Sequence, residues 1–345
     1  MPSIVGGFDI HRKQITFDYL DTVTGEVSRG QITPADRAQL RAWLAGRFEN
    51  PGEVAFAVEA CTGWRYVTEE LQAAGIEAHL AETADTATLR GRKKRAKTDR
   101  ADARLQRDLL AQGRLPECWI PPAHVLECRA LLECYYDLRC EHTAWIQRVH
   151  AVLFHQGAPV FHDLSRADAP AELAALAAGH LSHAGQAQAA TCLRMLAVLE
   201  AELDAARRRL LAAARQLRGA KVLAGSLYGV GPVTALALTC WLGGAGRFSS
   251  ARKAVRFAGL DITVWSSDGK GPPGRLSRQG PPVLRWALYE AGKTHARPAA
   301  PDHPYYAQVK DRKDGKRAAL SEARKIVRQA CHILAELGDD ALAVV

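Results

Sequence analysis

Short apolar runs alternate with amphipathic segments over the first third of the chain. Runs rich in apolar and β-branched residues predict strands at residues 4–10, 14–20, 54–59 and 76–80. Apolar positions at helical spacing predict helices at residues 35–48 and 63–74. The stretch 82–97 has no apolar periodicity and is predicted to be a basic loop. Alternating strands and helices are typical of an α/β domain. Because Pro116, Pro121 and Pro122 interrupt the pattern, we assign residues 1–120 to this domain.

Longer helical patterns follow, at residues 125–156 and 187–217. The second carries apolar residues at alternating steps of three and four, namely Leu196, Leu199, Leu203, Ala206, Leu210, Ala213 and Leu217. Such a heptad is typical of a coiled-coil dimer, and equally of an intramolecular hairpin against residues 128–156. We assign residues 121–220 to this helical coiled-coil region.

The last part of the chain, residues 221–345, is predicted to be mainly helical. Gly229-Val230-Gly231 precedes an Ala- and Leu-rich helix and resembles a helix-hairpin-helix element, whose glycine turn offers backbone N–H groups to a phosphate. A tight turn before a buried helix explains the same residues. Predicted helices at 250–259 and 283–291 flank a loop rich in Gly and Pro.

Four acidic residues occupy positions where a charge needs an explanation. Asp9 and Glu59 interrupt apolar strands, where an unpaired charge is expensive. Asp99 and Asp102 are three residues apart in a segment without Gly or Pro, and a helix capped by Thr98 would put both on one face. Convergent carboxylates suit two Mg²⁺ ions, or Mn²⁺, which together can act on a phosphodiester. Taken one at a time, each acid is also explained as an ordinary surface charge.

Basic residues cluster along the sequence. The formal net charge of +9 suits a polyanionic partner such as DNA. One cluster directly precedes the Asp99 helix and consists of Arg92, Lys93, Lys94, Arg95 and Lys97. Others lie near the Gly- and Pro-rich loop, at Arg252, Lys253, Arg256, Lys270, Arg275 and Arg278. We predict that both groups contact nucleic acid phosphates.

The same loop carries Ser266, Ser267 and Ser277. Serines in such loops are normally turn formers, and the chemistry of the residues alone favours that role. Neighbouring cations could instead make one of them a nucleophile toward phosphorus.

Cysteine usage and hydropathy indicate the cellular compartment of the protein. Eight cysteines without a Cys-x-x-Cys pair argue against a zinc ribbon and predict reduced thiols in a cytoplasmic protein. No apolar stretch approaches roughly 18 residues, so we expect no membrane insertion.

Together these residues resemble the DEDD transposases of bacterial insertion sequences, of the insertion sequence 110 type. The resemblance spans nearly the whole chain. The family's Asp-Arg-x-Asp-Ala element resembles DRADA, and its later motifs resemble GVGPVTA, RFSSARK, SSDGK and GRLSRQG. It implies an α/β RuvC-like domain of RNase H type, a helical coiled coil, and a mainly helical transposase domain.

The resemblance also implies a mechanism. It assigns Asp9, Glu59, Asp99 and Asp102 to a Mg²⁺ site, and it implies a serine that links covalently to DNA. That serine would be Ser267, with Ser266 as the alternative, because Asp268 and Pro272-Pro273 depart from the family's pattern. The implied partners are the DNA of the element ends and target, a guide RNA, and further copies of the chain, as a dimer or as a tetramer in the synapse. The implied location is the bacterial cytoplasm, at the nucleoid.

Three other functions are compatible with parts of this sequence. A junction-resolving nuclease would use the same acids with water as nucleophile. A non-catalytic nucleic-acid-binding relative would need only the basic clusters. A coiled-coil scaffold would leave the carboxylates unexplained.

Overall fold

The computed structural model describes residues 2–89, 98–162, 168–263 and 274–345. These residues form two compact units, Met1–Pro121 and Pro122–Val345. The further division at residue 220 stays a prediction.

The first unit is built on a mixed sheet. Its strands are β1 (Ile4–Ile10), β2 (Ile15–Asp21), β3 (Val27–Ile32), β4 (Val54–Glu59), β5 (Glu77–Ala81) and β6 (Glu117–Cys118), in the order β3-β2-β1-β4-β5-β6. The β1–β4 and β4–β5 pairs are parallel, and the other pairs are antiparallel. Its helices are α1 (Arg37–Leu44), α2 (Trp64–Ala73), α3 (Thr83–Thr88) and α4 (Asp99–Ala111). This arrangement is consistent with an RNase H-like domain.

Two local predictions for this unit need correction. The edge strand β3 was not expected, because its sequence VSRGQI is polar and only alternate side chains are partly covered. The loop predicted at 82–97 begins with α3, whose first turn is capped by Glu82 through a hydrogen bond from the Asp85 N–H. Residues 90–97 lie outside the described residues.

The two faces of the sheet differ in chemistry. One face carries aromatic side chains, among which Phe8 stacks on Phe56 with ring centroids 4.5 Å apart and Phe17 packs 4.7 Å from Trp43 of α1. The opposite face of β1 contacts α4. Because side chains alternate along a strand, this division decides which residues of β1 and β4 can meet α4.

The second unit is helical in its described residues. Its helices are α5 (Ala123–His155), α6 (Ala169–His180), α7 (His183–Gln216), α8 (Arg218–Ser226), α9 (Pro232–Leu242), α10 (Ala251–Phe257), α11 (Pro282–Lys293), α12 (His303–Arg312) and α13 (Gly315–Leu337). No helix in the ranges described has both the length and the apolar character needed to cross a membrane.

Helices α5 and α7 form an antiparallel hairpin within the chain. The Ser182 N–H donates to Gln156 Oε1 at 2.7 Å, and His142 Nε2 lies 3.4 Å from Glu200 Oε1 farther along. Of the heptad, Leu210 is fully buried, while Leu196 and Leu199 are almost so. The structure thus shows the intramolecular alternative for this heptad, and a coiled coil between chains stays a prediction.

The predicted glycine turn joins α8 to α9. Gly229 has φ +76°, and a Cβ atom there would lie 2.1 Å from Thr294 Oγ1, so both conformation and close packing require glycine. Every residue from 235 to 242 is buried. These facts account for the turn and the buried helix, while phosphate binding by the turn stays a prediction.

Candidate functional site

Asp9 lies on the face of β1 that α4 covers. A Cβ atom on Gly7 would lie 2.2 Å from the backbone oxygen of Ala103 and 2.6 Å from the Arg107 nitrogen, so α4 packs directly against the strand at this point. Residues two apart on a strand share a face. Asp9 therefore projects on the side where α4 begins.

Glu59 reaches the same side of the sheet. It ends β4, which runs parallel to β1 with Phe8 opposite Val58. The register therefore places Asp9 and Glu59 side by side at the carboxyl ends of adjacent strands. Loops and helix ends at this edge can contribute further ligands.

The first turn of α4 carries the other two acids. Thr98 caps the helix by accepting a hydrogen bond from the Ala101 N–H at 3.2 Å, as predicted. Asp99 Oδ2 accepts a hydrogen bond from Gln14 Nε2 at 3.1 Å, which ties it to the β1–β2 hairpin. Asp102 is only 9% exposed.

The electrostatics show that the three other acids act on Asp9. The pKa of Asp9 is raised to about 6, first by burial and then by the charges of Asp99, Asp102 and Glu59, while His11 acts in the opposite direction. A bound cation relieves the repulsion that raises the pKa of a carboxyl beside other carboxylates. The donor set therefore fits a divalent ion that prefers oxygen ligands.

The carboxylates are nevertheless spread out. Within the described residues, no three of them bring one oxygen each within 4.8 Å of one another. Ligands of a two-ion site need not all meet at one point, because the ions themselves lie about 3.5–4 Å apart.

A buried ion pair, which the sequence did not reveal, holds α4 on the sheet. Asp18 of β2 is 3% exposed and pairs with Arg107 of α4 and with Arg29 of β3, the latter at 2.7 Å. Asp18 interrupts an apolar strand just as Asp9 does, so its position in the sequence gave no sign of a different role. Because its carboxylate pairs with two arginines, Asp18 has a structural role.

Cys61 is a second residue at this edge that the sequence analysis did not single out. Its thiol lies 4.0 Å from the Ile10 carbonyl oxygen. Burial, followed by the charges of Glu59 and Asp9, raises the pKa of the thiol. Cys61 is therefore a neutral neighbour of the acids. Its position two residues after Glu59 could have identified it from the sequence.

The second unit contains a basic cavity of about 600 Å³. Three of its residues are the predicted Arg252, Lys253 and Arg256, all exposed on α10. Arg324 and Arg328 of α13 also line it, although the sequence gave no reason to group them with α10. Asp261 is the one acidic residue in this lining. Five cations around one acid make the cavity strongly positive.

The described flanks of the serine-bearing loop pair with each other beside this cavity. The Thr263 N–H donates to the Arg275 oxygen at 2.8 Å, and the Ser277 N–H donates to the Asp261 oxygen at 2.9 Å. The Ser277 hydroxyl also donates to Asp261 Oδ1. Ser277 thereby has a structural partner. Arg275 and Arg278 are exposed on the second flank.

Several predicted site residues lie outside the described residues. They are Arg92, Lys93, Lys94, Arg95, Lys97, Ser266, Ser267 and Lys270.

Two family models match the chain. A DEDD transposase model of the IS110 type matches residues 6–155, and the model described as "Transposase IS116/IS110/IS902 family" matches residues 222–307. The chain is also similar to a protein of Sinorhizobium fredii (strain NBRC 101917 / NGR234) named "Putative transposase y4rJ". The two are 30% identical over 301 residues, which cover 79% of this chain and 73% of the relative. The chain is a DNA-recombining enzyme that belongs to the IS110 family of transposases.

Proposed function

We propose that this transposase cleaves and rejoins DNA with Mg²⁺ held by Asp9, Glu59, Asp99 and Asp102. The observation that supports the metal site most is the raised pKa of Asp9, since it arises from burial and from the three other acids. Bound divalent ions would stabilise negative charge on the attacking and leaving oxygens of a phosphodiester. The chain's own contribution is to hold the carboxylates on two strands and one helix before the ions arrive.

The nucleophile in this proposal is the Ser267 hydroxyl. Its oxygen bonds to phosphorus as one bridging P–O bond of the DNA strand breaks. The hydroxyl proton is lost, and the leaving DNA oxygen takes up a proton. The basic cavity beside the described flanks of the serine loop supports this assignment, because it offers five cations to a phosphate backbone.

Single substitutions separate this mechanism from its alternatives. Ser267→Ala should abolish strand exchange and any covalent protein–DNA adduct, measured by denaturing gel, while Asp102→Asn should abolish cleavage as well. Ser266→Ala is the matched control at the neighbouring position. An undiminished adduct in Ser267→Ala would exclude that serine as the nucleophile.

A junction-resolving nuclease gives a different pattern. Water would then attack, so Ser267→Ala would keep nicking DNA and Asp102→Asn would not. A non-catalytic nucleic-acid-binding relative would keep its function in Asp102→Asn. A raised pKa such as that of Asp9 is typical of functional sites, which favours an enzyme over a protein that only binds. The transposase family matches favour a recombinase over a nuclease.

A guide RNA and assembly into a dimer, with a tetramer in the synapse, complete the proposal. Basic side chains on α10 and α13 could serve RNA as well as DNA, because both are recognised through phosphates. Purification of the chain with RNA transcribed from the sequence flanking its gene, followed by mass measurement of the complex, tests both points. Absence of bound RNA would remove the guide from the proposal without affecting the acids.

A further inference from the structure

A separate polar cluster lies in the Pro122–Val345 unit. Its members are His295 in the short helix after α11, Asp302 directly before α12, and Glu322 on α13. One ligand atom from each, an imidazole nitrogen or a carboxylate oxygen, lies within 4.8 Å of the other two. Among the residues that the structure describes, no other three His, Cys, Asp or Glu side chains meet so closely.

The buried members of this cluster lack hydrogen-bond partners. Glu322 is 0% exposed, and its Oε2 accepts no hydrogen bond from any described residue. Both ring nitrogens of His295, which is 4% exposed, are also unpaired within the described ranges. His295 Nδ1 lies 3.7 Å from Glu322 Oε2, too far for a hydrogen bond. Buried polar groups are normally satisfied, so these atoms need an explanation.

Nearby charges satisfy only part of the cluster. Lys325 Nζ lies 3.5 Å from Glu322 Oε1 and 3.7 Å from Asp302 Oδ2. It therefore contacts the other oxygen of Glu322 and leaves Oε2 and both imidazole nitrogens without a hydrogen bond. The Asp302 side chain makes no capping hydrogen bond to α12, although it precedes that helix. Its carboxylate faces the cluster instead.

We propose that His295, Asp302 and Glu322 bind one divalent transition-metal ion of the Zn²⁺ type. Zn²⁺ accepts imidazole nitrogen and carboxylate oxygen together, whereas Mg²⁺ prefers oxygen alone. The ion satisfies an imidazole nitrogen and Glu322 Oε2, and it joins three successive elements of the unit. Half-exposed Asp302 leaves a path for its entry.

Lys325 competes with the ion for the two carboxylates. Its ammonium also lies 3.6 Å from the centroid of the Tyr305 ring. An aromatic face attracts a cation, so Lys325 keeps a partner when the ion takes its place. The proposal does not depend on the proposed recombinase mechanism, because neither the four acids nor the serine loop takes part in it.

The test counts Zn²⁺ per full-length chain. All proteins carry Asp102→Asn, which weakens the four-acid site, and are dialysed against Zn²⁺ before elemental analysis. Adding Glu322→Gln or Asp302→Ala should lower the count by about one ion, since each removes one of three ligands. Asp302 is half exposed, so its variant tests the proposal even if Glu322→Gln fails to fold.

Two comparisons sharpen the test. Glu290→Gln removes a surface acid that pairs with Lys293 at 2.8 Å, and it should leave the count unchanged. Lys325→Met removes a like charge beside the ion and should tighten Zn²⁺ binding at least about tenfold. Co²⁺ in place of Zn²⁺ should show no thiolate absorption band from this site. A Zn²⁺ count in the Glu322→Gln and Asp302→Ala proteins equal to that of the parent Asp102→Asn protein, or unchanged affinity in Lys325→Met, would overturn the proposal.

Discussion

The charged carboxylate of Asp9 destabilises the folded chain when no metal is bound. Its pKa is raised from 3.8 to about 6 in the folded chain by burial and neighbouring acids. Between about pH 4 and pH 6 the folded protein therefore binds more protons than the unfolded one, so stability falls as the pH rises through this window. Above pH 6 the whole loss of folding stability remains unless a bound cation offsets it.

Asp9→Asn should therefore stabilise the metal-free protein at pH 7.5. We expect a gain on the order of 1 kcal/mol, less than the full pKa shift implies because Asp9 is only partly buried. At pH 4 the gain should largely vanish. Urea unfolding in the presence of a chelator measures both. A loss of stability at pH 7.5 would contradict this account of the site.

Asp21 provides a control of opposite sign. Hydrogen bonds from the Thr24 and Val23 N–H groups lower the pKa of this exposed carboxyl. Its contribution to stability is therefore present at neutral pH and is lost as the pH falls through the lowered pKa. Asp21→Ala should destabilise the protein at pH 7.5 and less so in acid.

At the scale of elements, the contact of α4 with β1 decides whether the acids meet. Gly7→Ala would put a methyl group 2.2 Å from the Ala103 backbone oxygen, which can move only if α4 moves. We expect a loss of about 3 kcal/mol or more in unfolding free energy, together with reduced Mg²⁺-dependent cleavage. Gly52→Ala, with no atom within 4 Å of the new Cβ, is the matched control. Equal stability of the two variants would contradict this packing.

The α5–α7 hairpin makes a second prediction at this scale. Leu210→Ala should cost about 2–5 kcal/mol, because the side chain is fully buried within one chain. Val198→Ala, at a position 58% exposed, should change stability by less than about 0.5 kcal/mol. Thermal unfolding at several protein concentrations is the measurement. A concentration-dependent loss in Leu210→Ala would indicate a seam between chains instead.

The elements also show how far sequence patterns reach. Apolar runs predict β1 and β4 correctly because both strands are buried in the middle of the sheet. The edge strand β3 carries no such run. Its pairing with β2 depends on tertiary packing, which the local sequence does not determine. Spacing predicts Asp99 and Asp102 on one helix, since i,i+3 is a local relation. The pairing of Asp18 with Arg107 bridges distant segments and follows from no spacing.

At the scale of the whole molecule, binding of nucleic acid should depend on salt through the basic cavity. Arg328→Gln removes one exposed cation that lines it. We expect the slope of log affinity against log salt concentration to fall by about one unit, measured by titration of labelled DNA. Arg215→Gln removes an exposed cation from α7 and should leave the slope unchanged. Equal slopes in the two variants would exclude a phosphate contact at Arg328.

Sequence grouped α10 with nucleic acid binding because its cations are consecutive or nearly so. Arg324 and Arg328 lie near the α10 cations only because α13 packs against α10 in the fold. The sequence does not predict the cluster of His295, Asp302 and Glu322 for the same reason, because three elements contribute one residue each. Clusters within one element are predictable from spacing. Clusters between elements require the fold or, as for the four acids, a family resemblance.

The burial of α9 has a consequence for how the second unit opens. This helix contacts α5, α7, α8, α11 and α13, so no neighbour can detach without exposing it. Its backbone amides should therefore exchange with deuterium only when the whole unit unfolds. By contrast, α6 packs mainly on α7 and should exchange through local fluctuations. The slowest-exchanging amides of the unit should thus form a single kinetic class centred on residues 235–242.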